Sequence, residues 1–280
     1  MRGKPLTLIT LAAFGYAFLY VPIFALVAYS FNASDRVMVW QGFSTRWYAA
    51  LLQDEQILSA AWLSIRIATI NATCATILGL MAGYVIVRFG RFRSRTLFSG
   101  MLAAPLVIPE VITGLSLLML FVALQDLVGW PAARGMTTIT LAHITFSTAY
   151  VAVVVQSRLG QLDPSLEEAA LDLGATPART FLLVTVPLLA PALVAGWLLA
   201  FTLSIDDLVI ASFVSGPGAS TLPMVIFSKV RVGLSPEINA LATLMIGLVF
   251  AGGVAALLVL RRAARGAAGQ ARDDGPRDAR

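Results

Sequence analysis

The 280-residue chain is 58% hydrophobic, only 12% charged and has a mean hydropathy of +0.83, a composition incompatible with a water-soluble surface. Its apolar residues gather into runs of roughly the 20 residues that a bilayer-spanning helix needs, and the short polar connections leave no room for a separate soluble catalytic domain. The net charge of +5 does not point to nucleic acid, because the arginines flank apolar runs instead of interleaving with aromatics on a polar patch.

In chain order, spans are predicted at 6–31, 60–87, 97–124, 137–158, 181–214 and 237–261. The runs are continuous rather than alternating, so the fold class is an all-α integral membrane protein and not a β-barrel. Leu6–Phe31 exceeds a signal-peptide apolar core and no A-x-A site closes it, which marks an uncleaved first span. Between the first two spans, Ser44–Gln53 places Trp47, Tyr48, Leu51 and Leu52 at helical spacing, as a helix at headgroup level or a packed outer-loop helix would. Residues 1–261 form the membrane domain. The charged, Ala/Gly-rich segment 262–280 is expected to be a disordered basic cytoplasmic tail.

The basic residues set an orientation. Arg2, Lys4, Arg88, Arg91, Arg93, Arg95, Arg158, Arg179, Arg261, Arg262, Arg265, Arg272, Arg277 and Arg280 flank one side, whereas Arg36, Arg46, Arg134, Lys229 and Arg231 flank the other. The positive-inside rule then predicts both termini in the cytoplasm. The single cysteine, Cys74, is expected to pack inside the second span, with no disulfide or thiolate cluster possible. His143, alone in the fourth span, reads as a packed or hydrogen-bonded histidine rather than a metal ligand.

The connection at about 159–180 lies on the cytoplasmic side in that orientation. Asp163 is placed to cap a helix beginning at Pro164, with a Ser165/Glu168 capping box as the alternative. Gly174 suits the left-handed residue that stops this helix, and Thr176-Pro177 starts the next one. Glu168-Ala169-Ala170, three residues, Gly174, nine residues, then Val184-Thr185-Val186-Pro187 resembles the EAA motif of ABC-importer permeases, with valines at its two aliphatic positions. The resemblance implies a type I importer permease architecture, in which Glu167, Glu168, Ala169, Ala170 and Gly174 belong to a coupling helix docked on a cytoplasmic ATPase.

Longer strings narrow the family. SFNAS at 30–34, GFSTRWY at 42–48, APLVIPEVITGLSLL at 104–118, AFTLSIDDLVIASFVSGPG at 200–218, TLPMVIFSKVR at 221–231 and SPEINALATL at 235–244 resemble the permeases of polyamine importers. The nearest type is the putrescine permease that is the second of two permease subunits. The resemblance implies a homologous second permease, two ATPase subunits carrying ATP and Mg, and a periplasmic polyamine-binding protein. It implies no cofactor on this chain and a multi-pass location in the bacterial inner membrane, in contact with lipid.

Three intramembrane acids fit a cationic substrate, since each carboxylate costs roughly 2.5–3.5 kcal/mol on insertion scales and needs compensation. Glu110 lies about 13 residues into the third span, near 20 Å from its start at 1.5 Å per residue, which makes it the deepest acid. Asp206 and Asp207 stand near the outer end of the fifth span, about 100° apart on a helix; one is expected to face substrate and the other to be structural. If the helix continues, Phe213 shares the Asp206 face and adds a cation–π wall. Trp197 and Phe201 are expected to pack away from that face. Pro105, Pro109, Pro187 and Pro191 interrupt membrane helices and Gly216-Pro217-Gly218 ends the regular part of the fifth span, and a secondary transporter remains the alternative on acids and broken spans alone. Phosphate-loop, zinc-protease and serine-nucleophile motifs do not occur in the sequence.

Overall fold

The computed structural model describes residues 4–36, 39–232 and 235–273. Among them are the helices α1 (Lys4–Tyr29), α2 (Arg46–Leu51), α3 (Glu55–Arg88), α4 (Arg95–Val107), α5 (Glu110–Val128), α6 (Met136–Leu159), α7 (Ser165–Asp172), α8 (Pro177–Thr180), α9 (Val186–Ile205), α10 (Val209–Val214), α11 (Leu222–Val232) and α12 (Pro236–Asp273), with a π-helical turn at Phe181–Thr185. Among the described residues, six stretches are long and apolar enough to cross a membrane: Thr7–Tyr29, Glu55–Arg88, Glu110–Val128, Met136–Leu159, Pro177–Ile205 and Pro236–Val254.

Two predicted spans are corrected. The third, expected over 97–124, divides into α4 and α5 at an extended Ile108 and at Pro109. Proline lacks the N–H for a continuous helix and disfavours helical geometry at the residue before it. The fifth, expected over 181–214, begins at Pro177 and stops at Ile205. The π-turn stands immediately before α9, whose first residues include Pro187. Pro187 cannot donate to Leu183 and its ring crowds that carbonyl, which a widened turn relieves. At the other end α12 remains helical to Asp273, beyond the apolar run ending at Leu260. Alanine and arginine extend an existing helix readily, so helix stands over 262–273 where an irregular tail is expected; 274–280 lie outside the described residues.

The chain forms two compact units, Met1–Glu55 with Ser228–Arg280, and Gln56–Phe227. In the first, Asn32 organises the loop after α1. Its amide donates to Val39 O and its oxygen accepts from the N–H groups of Ser34 and Gln41. Trp47 Nε1 donates to Asn32 O, the hydroxyls of Tyr48 and Ser30 pair at 2.7 Å, and Leu51 is buried. These contacts make α2 a packed loop helix, the second of the two expected possibilities. Lys229 pairs with Asp54 in the same unit.

In the second unit, α3 buries a stripe of small residues, Ala68, Ala72, Ala75, Gly79 and Gly83. A Cβ on Gly79 would stand 2.7 Å from Val151 Cβ, and one on Gly83 would stand 2.8 Å from Val155 Cγ1. The missing side chains let α3 and α6 approach closely, the usual means of helix association where lipid and leucine are equally apolar. Asn71 adds polar specificity by donating to Ser147 Oγ at 3.1 Å and to Ala200 O at 2.9 Å, joining α3, α6 and α9. Trp197 and Phe201 stack at 5.3 Å, and Trp197 Nε1 donates to Thr73 Oγ1, so they pack as expected. Gly79→Leu should lower stability by about 1–3 kcal/mol through overpacking. Thermal unfolding of the purified protein in detergent checks this, with Gly247→Leu, where a new Cβ meets nothing within 4 Å, as the near-neutral control.

Candidate functional site

The helix breaks assemble the intramembrane acids. Because the chain is extended at Ile108 and Pro109, Glu110 becomes the first residue of α5 instead of an interior residue of a longer helix. The continuous helix expected around it is therefore corrected: Glu110 is exposed at a helix start. Pro109 O accepts from the N–H groups of Ile112 and Thr113, which begins the new helix.

The second break forms around Asp207. Its carboxylate accepts from Ile210 N at 3.2 Å and from Ala211 N at 2.7 Å, capping α10. An aspartate that satisfies free N–H groups in this way competes with helix continuation. On its other side, His143 Nε2 lies 3.0 Å from Asp207 Oδ2 while His143 Nδ1 lies 2.7 Å from Ser204 Oγ. A carboxylate only accepts, so Nε2 carries the proton, and in the neutral ring Nδ1 accepts from the Ser204 hydroxyl. The side chains of His143 and Asp207 are 2% and 9% exposed. This is the hydrogen-bonded histidine expected from sequence, now with its partners.

Asp206 occupies the C-terminal position of α9 and is exposed. Of the adjacent pair, Asp207 is thus committed internally and Asp206 is presented. The expected shared face of Asp206 and Phe213 is corrected, because the helix does not continue between them. Phe213 instead packs on α5. A Cβ on Gly114 would lie 2.8 Å from the Phe213 ring and 3.3 Å from Ile210 Cα. Gly114 is one turn beyond Glu110, and Ile210 donates its N–H to the Asp207 carboxylate. This close approach brings the two helix breaks together, with Glu110 at one and Asp206 and Asp207 at the other. Such a cluster attracts a cation, because an ammonium relieves the repulsion among carboxylates and supplies three donors to them. A separate cavity of about 450 Å³, bounded by Gln56, Trp62, Arg66, Gly218 and Ser220, includes none of the three acids.

The loop containing the Glu-Ala-Ala sequence forms a second site. Asp163 accepts from Ser165 N at 3.0 Å, so the aspartate cap forms as expected. That bond holds its carboxyl below the usual aspartate range. Gly174 has φ +86°, the left-handed conformation expected at the end of α7, and Ala175 N returns to Ala170 O. Thr176 then accepts from Arg179 N and Pro177 opens α8. Glu168 and Ala169 are exposed and Ala170 is half-buried, flanked by the exposed leucines Leu166, Leu171 and Leu173. Glu167 turns inward: it pairs with Arg88 at 2.9 Å and accepts from Thr185 Oγ1 at 2.8 Å. Sequence reasoning missed Arg88, Thr185 and Asn71 as partners. Arg88 carried only an orientation signal, Thr185 stands at an unspecified position of the motif, and Asn71 lacked any local motif.

The membrane helices and this loop match the binding-protein-dependent transport system inner membrane component family over residues 75–266. The chain is 61% identical to the putrescine transport system permease protein PotI of Escherichia coli (strain K12) over 255 residues, 91% of each chain. It is 41% identical to the spermidine/putrescine transport system permease protein PotC of the same strain, covering 91% of this chain and 94% of the relative. In fold it resembles a chain of a bacterial ABC transporter involved in import of the acidic polysaccharide alginate. That match has a TM-score of 0.68 and 16% identity and covers 91% of this chain and 97% of the other. The chain belongs to the binding-protein-dependent transport system inner membrane component family, and is a transport permease subunit.

The unequal use of the two aspartates has a measurable consequence. Asp207→Ala should cost roughly 1–2 kcal/mol by removing the α10 cap and stranding His143, whereas Asp206→Ala should leave the thermal midpoint of the purified protein nearly unchanged. Equal midpoints for the two variants would contradict the division of roles.

Proposed function

We propose that this chain imports a polyamine, with putrescine as its principal substrate, as one of two homologous permeases in an ATP-driven importer. The observation that carries the reading is the 61% identity, over 91% of the chain, to a putrescine transport system permease. A periplasmic binding protein delivers the diamine. Two ATPase subunits hold ATP and Mg and supply the energy; this chain contributes half of the pathway and no catalytic residue. Both termini lie in the cytoplasm of a multi-pass inner-membrane protein, a reading supported by the distribution of arginines.

In this reading Glu110 and Asp206 form the substrate-facing part of the acidic cluster. Each ammonium loses water on entering the pathway, and the carboxylates replace part of that hydration. Asp207 holds the break from which Asp206 is presented, and Phe213 fixes α10 against α5 through Gly114. Release follows when a change of conformation separates these carboxylates from acids or dipoles of the partner permease, because a ligand shifts an equilibrium only through unequal binding to its states.

The coupling surface is α7. Glu168, Ala169 and Ala170, with the exposed leucines beside them, meet the ATPase, and Gly174 returns the chain toward α9. Small residues permit close docking, and a β-branched residue at 174 is strained at positive φ. Gly174→Val should therefore abolish substrate-stimulated ATP turnover while insertion is retained, measured on reconstituted complexes at matched abundance.

Glu110→Gln and Asp206→Asn should each lower ATP-dependent putrescine uptake about tenfold, a loss near 1.4 kcal/mol of binding or transition-state stabilisation. Uptake into proteoliposomes with the binding protein supplied in excess measures this. Wild-type uptake in both variants would sink the acidic site; uptake driven by an ion gradient without ATP would instead establish a secondary transporter.

A further inference from the structure

We propose that Arg88, outside the Glu-Ala-Ala motif, is the positioning residue through which α7 is joined mechanically to the membrane helices, with Glu167 as its hinge pin. The inference rests on the coupling role proposed for α7 and identifies the path by which motion leaves it.

The argument starts from what α7 lacks. It is eight residues long and has no buried residue, so neither its own length nor an apolar face fixes it. Glu167 provides the attachment. One carboxylate oxygen receives Arg88 Nε from the last turn of α3 at 2.9 Å, and the other receives the hydroxyl of buried Thr185 from the π-turn at 2.8 Å. The Arg88 and Glu167 side chains are each 15% exposed, where a charge pair is poorly screened and removal of one partner leaves the other uncompensated. The ring of Tyr84 beside them contacts Phe181 at 4.8 Å, closing the junction between α3 and the π-turn. Arg95 secures the same end of α3 by donating to Ile86 O and Gly90 O.

Consequently a displacement of α7 pulls on two membrane helices at once. One is α3, whose Asn71 bonds α6 and α9; the other is α9, entered directly from Thr185. Both lead to the α9 end that carries Asp206. The adjacent Glu168 is exposed, so neighbouring glutamates serve opposite surfaces. Arg88 Nη2 is buried without an acceptor, leaving the Nε contact as the attachment to Glu167; a lysine retains one donor for it.

The test compares Glu167→Gln, Arg88→Met, Arg88→Lys and the double variant Arg88→Met with Glu167→Gln in reconstituted importer complexes. Uptake per ATP hydrolysed should fall about tenfold in each uncharged single variant, and the double should be no worse than either single, because both remove one interaction. Arg88→Lys should recover most of the ratio, while the KM for putrescine stays near wild type throughout. An independent readout uses spin labels on cysteines replacing Asp172 and Arg91 in a Cys74→Ala background: the inter-label distance distribution should broaden in Glu167→Gln and stay narrow in Arg88→Lys. Wild-type stoichiometry in the single variants, additive losses in the double, or unchanged distances overturn the proposal. So does failure of Glu167→Gln complexes to assemble, which would make the pair a folding element. If the wild-type complex shows no ATP-driven uptake, the permease reading itself fails; if it transports and only the variants behave like wild type, the fault lies with Arg88 alone.

Discussion

A polar group set among apolar helices must find its partners inside the chain, and in this protein that constraint is concentrated on Asp207. Its carboxylate takes two backbone N–H groups of α10 and one imidazole of α6. Satisfying those three donors requires α9 to stop at Ile205 and the chain to restart at Val209. The break then determines the direction of α10, and α10 meets α5 where Gly114 leaves space for Phe213 and Ile210. The break before Glu110 and the break after Ile205 come together as a result of this sequence of contacts. The acidic cluster is thus a consequence of helix termination rather than of acids spaced along one helix face.

The packing beneath the breaks uses a different device. Small residues on α3 admit the valines of α6, and Asn71 crosses to both α6 and α9. Close packing by Gly and Ala gives these helices dispersion contacts that lipid cannot match in geometry, while a buried amide selects one register among several that would pack almost as well. The same three helices carry His143, Ser204 and Arg88. A well-fixed triple of helices therefore supports polar features at widely separated positions.

The spans were legible because six apolar stretches of sufficient length leave little alternative in a chain of this composition. The α7 loop was legible for a local reason: Asp163, Pro164, Gly174, Thr176 and Pro177 each act within a few residues of themselves, and each has the expected cap or turn geometry where a bond is present. The break in the third span was legible at Pro109, directly after which α5 begins. The break after α9 was not, because Asp207 ends α9 through a histidine 64 residues away in sequence. Phe213 was assigned a face by continuing a helix that stops, so its error follows from the missed break. Arg88 and Glu167 are separated by 79 residues; their pairing is tertiary, and the signal Arg88 carries in sequence is indistinguishable from that of any arginine beside a span.

Two adjacent acidic pairs, Asp206-Asp207 and Glu167-Glu168, follow one physical pattern. In each, one carboxylate is bound within the protein while its neighbour is exposed. Successive residues near a helix end point roughly 100° apart, so a single backbone segment offers one side chain to the interior and the next to whatever lies outside. The bound carboxylate removes much of the backbone freedom of its neighbour before any partner arrives, and that ordering cost is no longer charged against binding. An isolated acid on a regular surface helix would gain orientation from the helix but no fixed link to distant elements. Here the anchored member supplies that link, to α6 through His143 and to α3 through Arg88, and a force on the exposed member is carried into the helical framework across one peptide bond.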